Sequence, residues 1–435
     1  MAEGTDSEFS ICKDSLHDRN VDLQSDCVCD DIHVNIPTSE FSKGCTLEER
    51  FEKLPIFNEP VRLIHTDSCG KLTVDESVLS QLSLIDVPLN VVAVCGLYRT
   101  GKSYLMNRLA GARTGFSLGA TTKSHTKGIW AWCKIHPTQD EQVLLLLDTE
   151  GLADIKKGDT NHDNHLFGLA LLLSSTLIYN MIGVFNQEAL EKLTFITRLS
   201  TEVQVMGDRR SGMSDDSLIC AISPFFILCL RDFFLDIEVE DDDKQPSPDE
   251  YFEHCLETDS HAGCESYNMT REGIAKYFPN RKCFTLSQPA LKKKLKQIEE
   301  LDDKDLDEDF VSEVDEMRDF VYEQKHKYLD AVTGIPVNGS VFASITSTYV
   351  ETLRGGSPLT YQDAFAQVAF RHNSNLVETL VQEFSKDMDE LKLPVKRKLV
   401  LQDKYGYQQN KTLSKFRQDA YPYCQEDFEE QIMVM

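Results

Sequence analysis

The residues with the clearest chemistry are Gly96-Leu97-Tyr98-Arg99-Thr100-Gly101-Lys102-Ser103. Glycines in the first and sixth positions let the backbone wrap tightly, so that successive N–H groups face one anion at the start of a helix. The pattern fits a chain of phosphates: Lys102 sets a positive charge at the β- and γ-phosphates, and the Ser103 hydroxyl can ligate Mg²⁺. Forty-six residues beyond Lys102 stands Asp148-Thr149-Glu150-Gly151, directly after the apolar run Val143–Leu147. An acid at a strand's carboxyl end can hold Mg²⁺ through water, and the Gly151 N–H can meet a γ-phosphate. Between the two motifs lie Thr121, Thr122 and Thr126, any of which could be a switch threonine sensing Mg²⁺ and γ-phosphate.

The base is harder to assign. The Asn-Lys-x-Asp signature for guanine is absent; Asn410-Lys411 has no following Asp and lies far from the sheet region. The run Phe225–Leu230 leads instead into Arg231-Asp232. A carboxylate there could accept from guanine N1–H and the 2-amino group, which adenine does not offer, or the two residues could form an ordinary solvated pair at a strand end.

A mostly parallel sheet is needed to position these groups. Val91–Cys95 reads as a fully buried strand feeding the glycine-rich loop, and Tyr104–Ala110 as the helix after it. Val61–His65 and Lys71–Val74 suggest an edge hairpin, Val78–Leu84 a short helix, and Gly128–Ile135 and Gln142–Leu147 strands. Leu166–Phe185 runs for twenty residues without a charge, long enough to span a membrane, but its Ser, Thr and Asn residues divide it into a buried helix and the strand Leu177–Ile182. A helix over Gln187–Leu199 and strands at Ile219–Leu230 and Lys282–Phe284 continue a βα succession with helices on both faces. Leu291–Leu301, Phe310–Tyr328, Val341–Leu353, Tyr361–Arg371 and Leu376–Leu391 carry helical periodicity. The expected organisation is a flexible extension over 1–50, the α/β domain over 51–309, a helical domain over 310–404, and a poorly packed tail over 405–435.

Composition narrows the function. Against 45 Lys and Arg stand 72 Asp and Glu, a net charge of −27, which disfavours nucleic acid and unassisted attraction to an anionic bilayer. The basic stretch Lys292, Lys293, Lys294 and Lys296 reads as a solvated helix face. Thirteen cysteines are scattered; Cys95 and Cys229 fall in apolar runs, and Cys27 and Cys29 have no second pair at zinc spacing. With no signal peptide at the acidic N-terminus, a reducing, cytoplasmic setting is expected.

Taken together, Gly96 through Ser103 with Tyr104-Leu105-Met106-Asn107, Ser124-His125-Thr126-Lys127-Gly128-Ile129-Trp130, Asp148-Thr149-Glu150-Gly151-Leu152 and Leu230-Arg231-Asp232 resemble the guanylate-binding protein family of dynamin-related large GTPases, relatives of the atlastins. The likeness covers about residues 53–400. It implies a P-loop large G domain followed by an all-helical domain, here truncated, and Mg²⁺-dependent GTP hydrolysis. Carried over from the family, Thr126 is the switch threonine and Ser124 positions the attacking water. Arg99 acts in cis as an arginine finger, and Asp232 reads guanine with Arg231 beside it. Gly96, Tyr98, Thr100, Gly101, Lys102, Ser103, Tyr104, Glu150 and Gly151 belong to the nucleotide site, and Ser103, Thr126 and Asp148 to the Mg²⁺ shell. The resemblance further implies nucleotide-dependent dimers and a part in innate immune defence. The alternative is a GTP-switched assembly scaffold with little turnover, partnering longer relatives. Two features depart from the family pattern: Cys229 stands where threonine is common, and Ile432-Met433-Val434-Met435 lacks a prenylation cysteine. Neither a lipid anchor nor a transmembrane segment of its own is therefore expected, and association with a lipidated relative stays open.

Overall fold

Runs of Val, Leu and Ile without charge build strands that are buried on both faces, and the strand carrying the glycine-rich loop is the clearest of them. The computed structural model describes residues 46–434 apart from 119–125, 153–159, 188, 192, 194–222, 235–245, 259–264, 292, 331–333, 358–360 and 390–397. Its main sheet comprises β1 (Val61–Thr66), β2 (Leu72–Val74), β3 (Leu89–Gly96), β4 (Ile129–Ile135), β5 (Val143–Thr149), β6 (Thr176–Ile182), β7 (Phe225–Arg231) and β8 (Arg281–Leu286). The strand order is β2-β1-β4-β5-β3-β6-β7-β8. From β5 through β8 the neighbours are parallel, while β4, β1 and β2 add an antiparallel edge. Every residue of β3 is buried. Its side chains alternate, so Val91, Ala93 and Cys95 enter one core and Val92 and Val94 the other.

The helices labelled here are α1 (Glu76–Leu82), α2 (Lys102–Leu109), α3 (Thr160–Leu173), α4 (Pro248–Cys255), α5 (Glu265–Tyr277), α6 (Glu308–Tyr322), α7 (Gly339–Arg354), α8 (Tyr361–Asp389), α9 (Lys398–Asp419) and α10 (Gln425–Val434). On one face, Leu105, Met106 and Leu109 of α2 share a core with Phe310, Val314, Met317 and Val321 of α6. The opposite core takes Leu166, Phe167 and Ala170 from α3, Val78 and Leu82 from α1, and Val341, Phe342, Ile345 and Tyr349 from α7. At Gly339, α7 comes so close to α1 that a Cβ would lie 1.8 Å from the Leu82 carbonyl oxygen.

Several expectations shift. A break at 310 falls inside α6, whose apolar stripe belongs to the sheet's own core. Leu291–Leu301 is not a regular helix; a six-residue 3₁₀ segment, Leu295–Glu300, covers part of it, with Gln297 outside helical geometry. The helix expected to reach Tyr328 ends at Tyr322, and Tyr328–Asp330 pairs instead with Ile335–Pro336. Tyr361–Arg371 and the expected Leu376–Leu391 segment, as far as Asp389, merge into α8, because His372-Asn373-Ser374-Asn375 holds neither Gly nor Pro to break it; 390 and 391 lie outside the described residues. The tail beyond 405 is helical and docked. Phe416, Phe428 and Ile432 bury themselves against Val377 and Leu380 of α8. The Asn373 amide donates to the Tyr421 and Tyr423 carbonyls, and its oxygen accepts from the Tyr421 N–H. That apolar stripe is shared by two helices joined by a turn, so no single window of sequence displays it. Among the described residues no helix is long and apolar enough to cross a membrane. The uncharged Leu166–Phe185 run divides between α3 and β6, inside the fold. Residues 1–45, with Cys27 and Cys29, and most of the helix expected over Gln187–Leu199 lie outside the described residues.

Candidate nucleotide site

The loop leaves β3 at Gly96, whose φ is 140°. Only glycine fits there: a Cβ would lie 2.0 Å from the Asn180 carbonyl oxygen on neighbouring β6. Two further residues take left-handed backbone, Arg99 at φ 64° and Gly101 at φ 82°, and Gly101 caps the N-terminus of α2. The acidic tetrad is fastened to the loop through the backbone. Leu152 N–H donates to the Gly96 carbonyl at 3.1 Å, and Tyr98 N–H to the Leu152 carbonyl at 3.1 Å. Gly151 packs so closely on Tyr98 that a Cβ would sit 2.6 Å from the Tyr98 Cα.

Lys102 reaches back into the arch, where its Nζ donates to the carbonyls of Gly96 at 3.1 Å and Leu97 at 2.9 Å. Burial pushes its pKa down, and the nearby Asp148 carboxylate partly opposes that. Ser103 Oγ donates to Asp148 Oδ2 at 2.6 Å, and Thr126 Oγ1 reaches the same oxygen at 3.3 Å. Asp148 is 1% exposed, and its other oxygen, Oδ1, is buried without a hydrogen bond. Burial raises its pKa to about 6 against the Ser103 hydrogen bond and the Lys102 charge. Two hydroxyls and a carboxylate with an unspent oxygen form the hard-oxygen set that suits Mg²⁺. Of the three candidate threonines only Thr126 is among the described residues; Thr121, Thr122, Ser124 and His125 lie outside them.

The other expected residues divide by role. Glu150 is 1% exposed and accepts from the Gly128 N–H at 3.1 Å, with His162 Nε2 3.5 Å away, so it braces the end of the linker ahead of β4. Arg99 is exposed, with its guanidinium 5.2 Å from the centre of the Tyr98 ring. The Tyr104 ring faces the core, 6.2 Å from Phe310. Arg231, beside Asp232 in sequence, is 5% exposed and lies under the loop rather than at its mouth. Its Nη1 is 3.5 Å from the Gly101 carbonyl, and its guanidinium lies over the Phe310 ring at 5.6 Å. Asp232 turns out of β7 in left-handed backbone at φ 53° and is partly exposed. Asn180 and its grip on Thr100 did not emerge from motif reading. A polar residue within the apolar run Leu177–Ile182 was the available signal.

A glycine-rich loop that ends a central parallel strand and caps the next helix, with a carboxylate on the adjacent strand, defines a P-loop nucleotide-binding α/β domain. The profile of the guanylate-binding protein N-terminal domain matches residues 69–329, and the chain belongs to that family. It is 38% identical over 380 residues to human guanylate-binding protein 2, covering 86% of this chain and 63% of that protein. With human guanylate-binding protein 3 it shares 41% identity over 334 residues, covering 76% and 55%. The figures for guanylate-binding protein 2 of Rattus norvegicus are 38% over 379 residues, 86% and 64%. The chain thus spans between 55% and 64% of the length of these relatives.

Proposed function

We propose that this chain is a Mg²⁺-dependent GTPase that hydrolyses the γ-phosphate bond directly with water. The observation that carries this reading is the convergence of Ser103 and Thr126 on one oxygen of buried Asp148, beside a loop with Lys102 folded inside it. In this reading the loop N–H groups and Lys102 hold the phosphates, with Lys102 exchanging its two carbonyl partners for phosphate oxygens. Ser103, Thr126 and Asp148 would hold Mg²⁺, which when bound neutralises charge on the β- and γ-phosphates. Ser124 and the Thr126 backbone align the water. Arg99 stabilises charge developing on the transferred phosphoryl group, a role worth about 10³–10⁵-fold in other arginine-finger systems. The Asp232 carboxylate accepts from guanine N1–H and the 2-amino group. Nucleotide-dependent pairing with a second copy or a longer relative, a cytoplasmic location and a role in innate immune defence complete the proposal, on the strength of the family resemblance.

A second reading, a GTP-switched scaffold with little turnover, draws on the position of Arg99. Its guanidinium rests on Tyr98 at the surface. Catalysis then requires the arginine to swing inward, as pairing between copies would arrange. Turnover of GTP measured against protein concentration, with nucleotide products separated, tests both. The enzyme reading expects specific activity to rise with concentration, Lys102→Ala to lose nucleotide affinity, and Arg99→Ala to keep affinity while losing turnover. Turnover that is negligible at every concentration, with GTP still bound, selects the scaffold. Full activity in both variants refutes the mechanism.

A further inference from the structure

The GTPase reading leaves open what fixes the direction from which Arg99 leaves the loop. Thr100 lies between the loop's two inner left-handed residues, Arg99 at φ 64° and Gly101 at φ 82°. A residue flanked this way lies in neither helix nor strand, so a partner from outside the loop can decide where it sits. That partner is Asn180, at the carboxyl end of β6 and wholly buried. Its Nδ2 donates to the Thr100 carbonyl at 2.8 Å and to the Thr100 hydroxyl at 2.8 Å. The hydroxyl in turn donates to the Leu97 carbonyl at 2.9 Å, the same oxygen that accepts from Lys102 Nζ. The amide orientation is fixed by chemistry, since a main-chain carbonyl can only accept and the NH₂ must therefore face Thr100. The backbone of Asn180 also presses on Gly96, its register partner across the β3–β6 pair. One residue thus grips both the start and the crown of the loop and joins Lys102, through the Leu97 carbonyl, to Thr100, the neighbour of Arg99. Its Oδ1 is buried without a hydrogen bond. A buried unpaired amide oxygen costs stability, and neither packing nor strand formation calls for an amide at this position.

We propose that Asn180 is a positioning residue for the phosphate loop, which sets Thr100 and through it the backbone from which Arg99 reaches the reacting phosphate. The proposal rests on the GTPase reading. It predicts that losing the amide impairs turnover more than binding, because Lys102, Ser103 and the loop N–H groups remain. Misplacement of a catalytic group by about 1 Å costs on the order of 10²-fold in rate.

The test is a double-mutant cycle on GTP hydrolysis by the full chain with Mg²⁺, comparing wild type, Asn180→Ala, Arg99→Ala and the double variant. Asn180→Ala is expected to lower kcat by about 10- to 100-fold while KM moves by less than about threefold. In the Arg99→Ala background the same change should cost less than about twofold, because a residue acting through Arg99 has nothing left to position. Thr100→Val removes the hydroxyl link from the other side and should give a smaller loss of the same kind; it carries the test if Asn180→Ala does not fold. A loss confined to KM, or one that multiplies in full in the Arg99→Ala background, overturns the positioning role. Absence of turnover in the wild type overturns the GTPase reading and this proposal with it, whereas wild-type turnover with additive losses overturns the proposal alone.

Discussion

Lys327 offers a quantitative test of how the sheet is tied to the helices that follow it. Its backbone N–H donates to the Leu89 carbonyl where β3 begins, and its carbonyl accepts from the Val337 N–H on the way to α7, both at 2.8 Å. The Nζ donates to the Ser174 carbonyl, just past the end of α3, also at 2.8 Å. The side chain is buried, and among the described residues no carboxylate forms an ion pair with it. Burial lowers its pKa from 10.5 to about 7. The folded state therefore disfavours the charged amine, so between these two values the unfolded chain binds more protons and stability rises with pH. Integrating the linkage from pH 7 to pH 9 gives about 2 kcal/mol. The negative end of the α3 dipole favours the ammonium and trims this to about 1–2 kcal/mol. Lys327→Met keeps an unbranched side chain of similar length and abolishes the titration, although Ser174 loses a donor. Urea unfolding of the nucleotide-free protein at the two pH values, for wild type and variant, isolates the effect from other titrating groups. The wild type should gain about 1–2 kcal/mol more than Lys327→Met between pH 7 and pH 9. Equal gains in both proteins would show that Lys327 is not a buried, charge-disfavouring site.

Three further outcomes follow from the site and the tail. Gly96→Ala puts a Cβ 2.0 Å from the Asn180 carbonyl oxygen at φ 140° and should abolish GTP binding while destabilising the fold by about 2 kcal/mol or more; wild-type affinity in a fluorescent-nucleotide titration would contradict the close packing. Asp232→Asn should weaken GTP by about tenfold or more while leaving ATP affinity unchanged, since a charged acceptor is lost from the guanine edge alone; competition between the two nucleotides reads this directly, and an undiminished preference for GTP would remove Asp232 from base recognition. Phe416→Ala empties the centre of the small core between α8, α9 and α10, at a local cost of about 3–5 kcal/mol, and hydrogen exchange should accelerate over residues 398–434 while GTP affinity holds. Unchanged protection there would mean that the tail is not held by this core.

What the sequence made legible was local. β3 is legible because five consecutive apolar residues, three of them valine, stand against a glycine-rich loop. Asp148 is legible because an acid directly follows an apolar strand at a workable distance from Lys102. What escaped motif reading depends on contacts between residues distant in sequence. Arg231 and Asp232 are adjacent, yet one turns under the loop against Gly101 and Phe310 and the other leaves β7 in left-handed backbone. Nothing in the dipeptide separates those fates. The distinction comes from α6, which brings Phe310 beneath the guanidinium and against the Tyr104 ring. A domain break at residue 310 would therefore divide the loop's support from the loop. The periodicity of α6 identifies a helix correctly but does not say which core its apolar face enters. Asn180 makes the same point within the sheet. Its amide has meaning only once the parallel β3–β6 pairing sets it beside Gly96 and Thr100, so the setting of the loop at Thr100 is written in topology as well as in the motif that contains it.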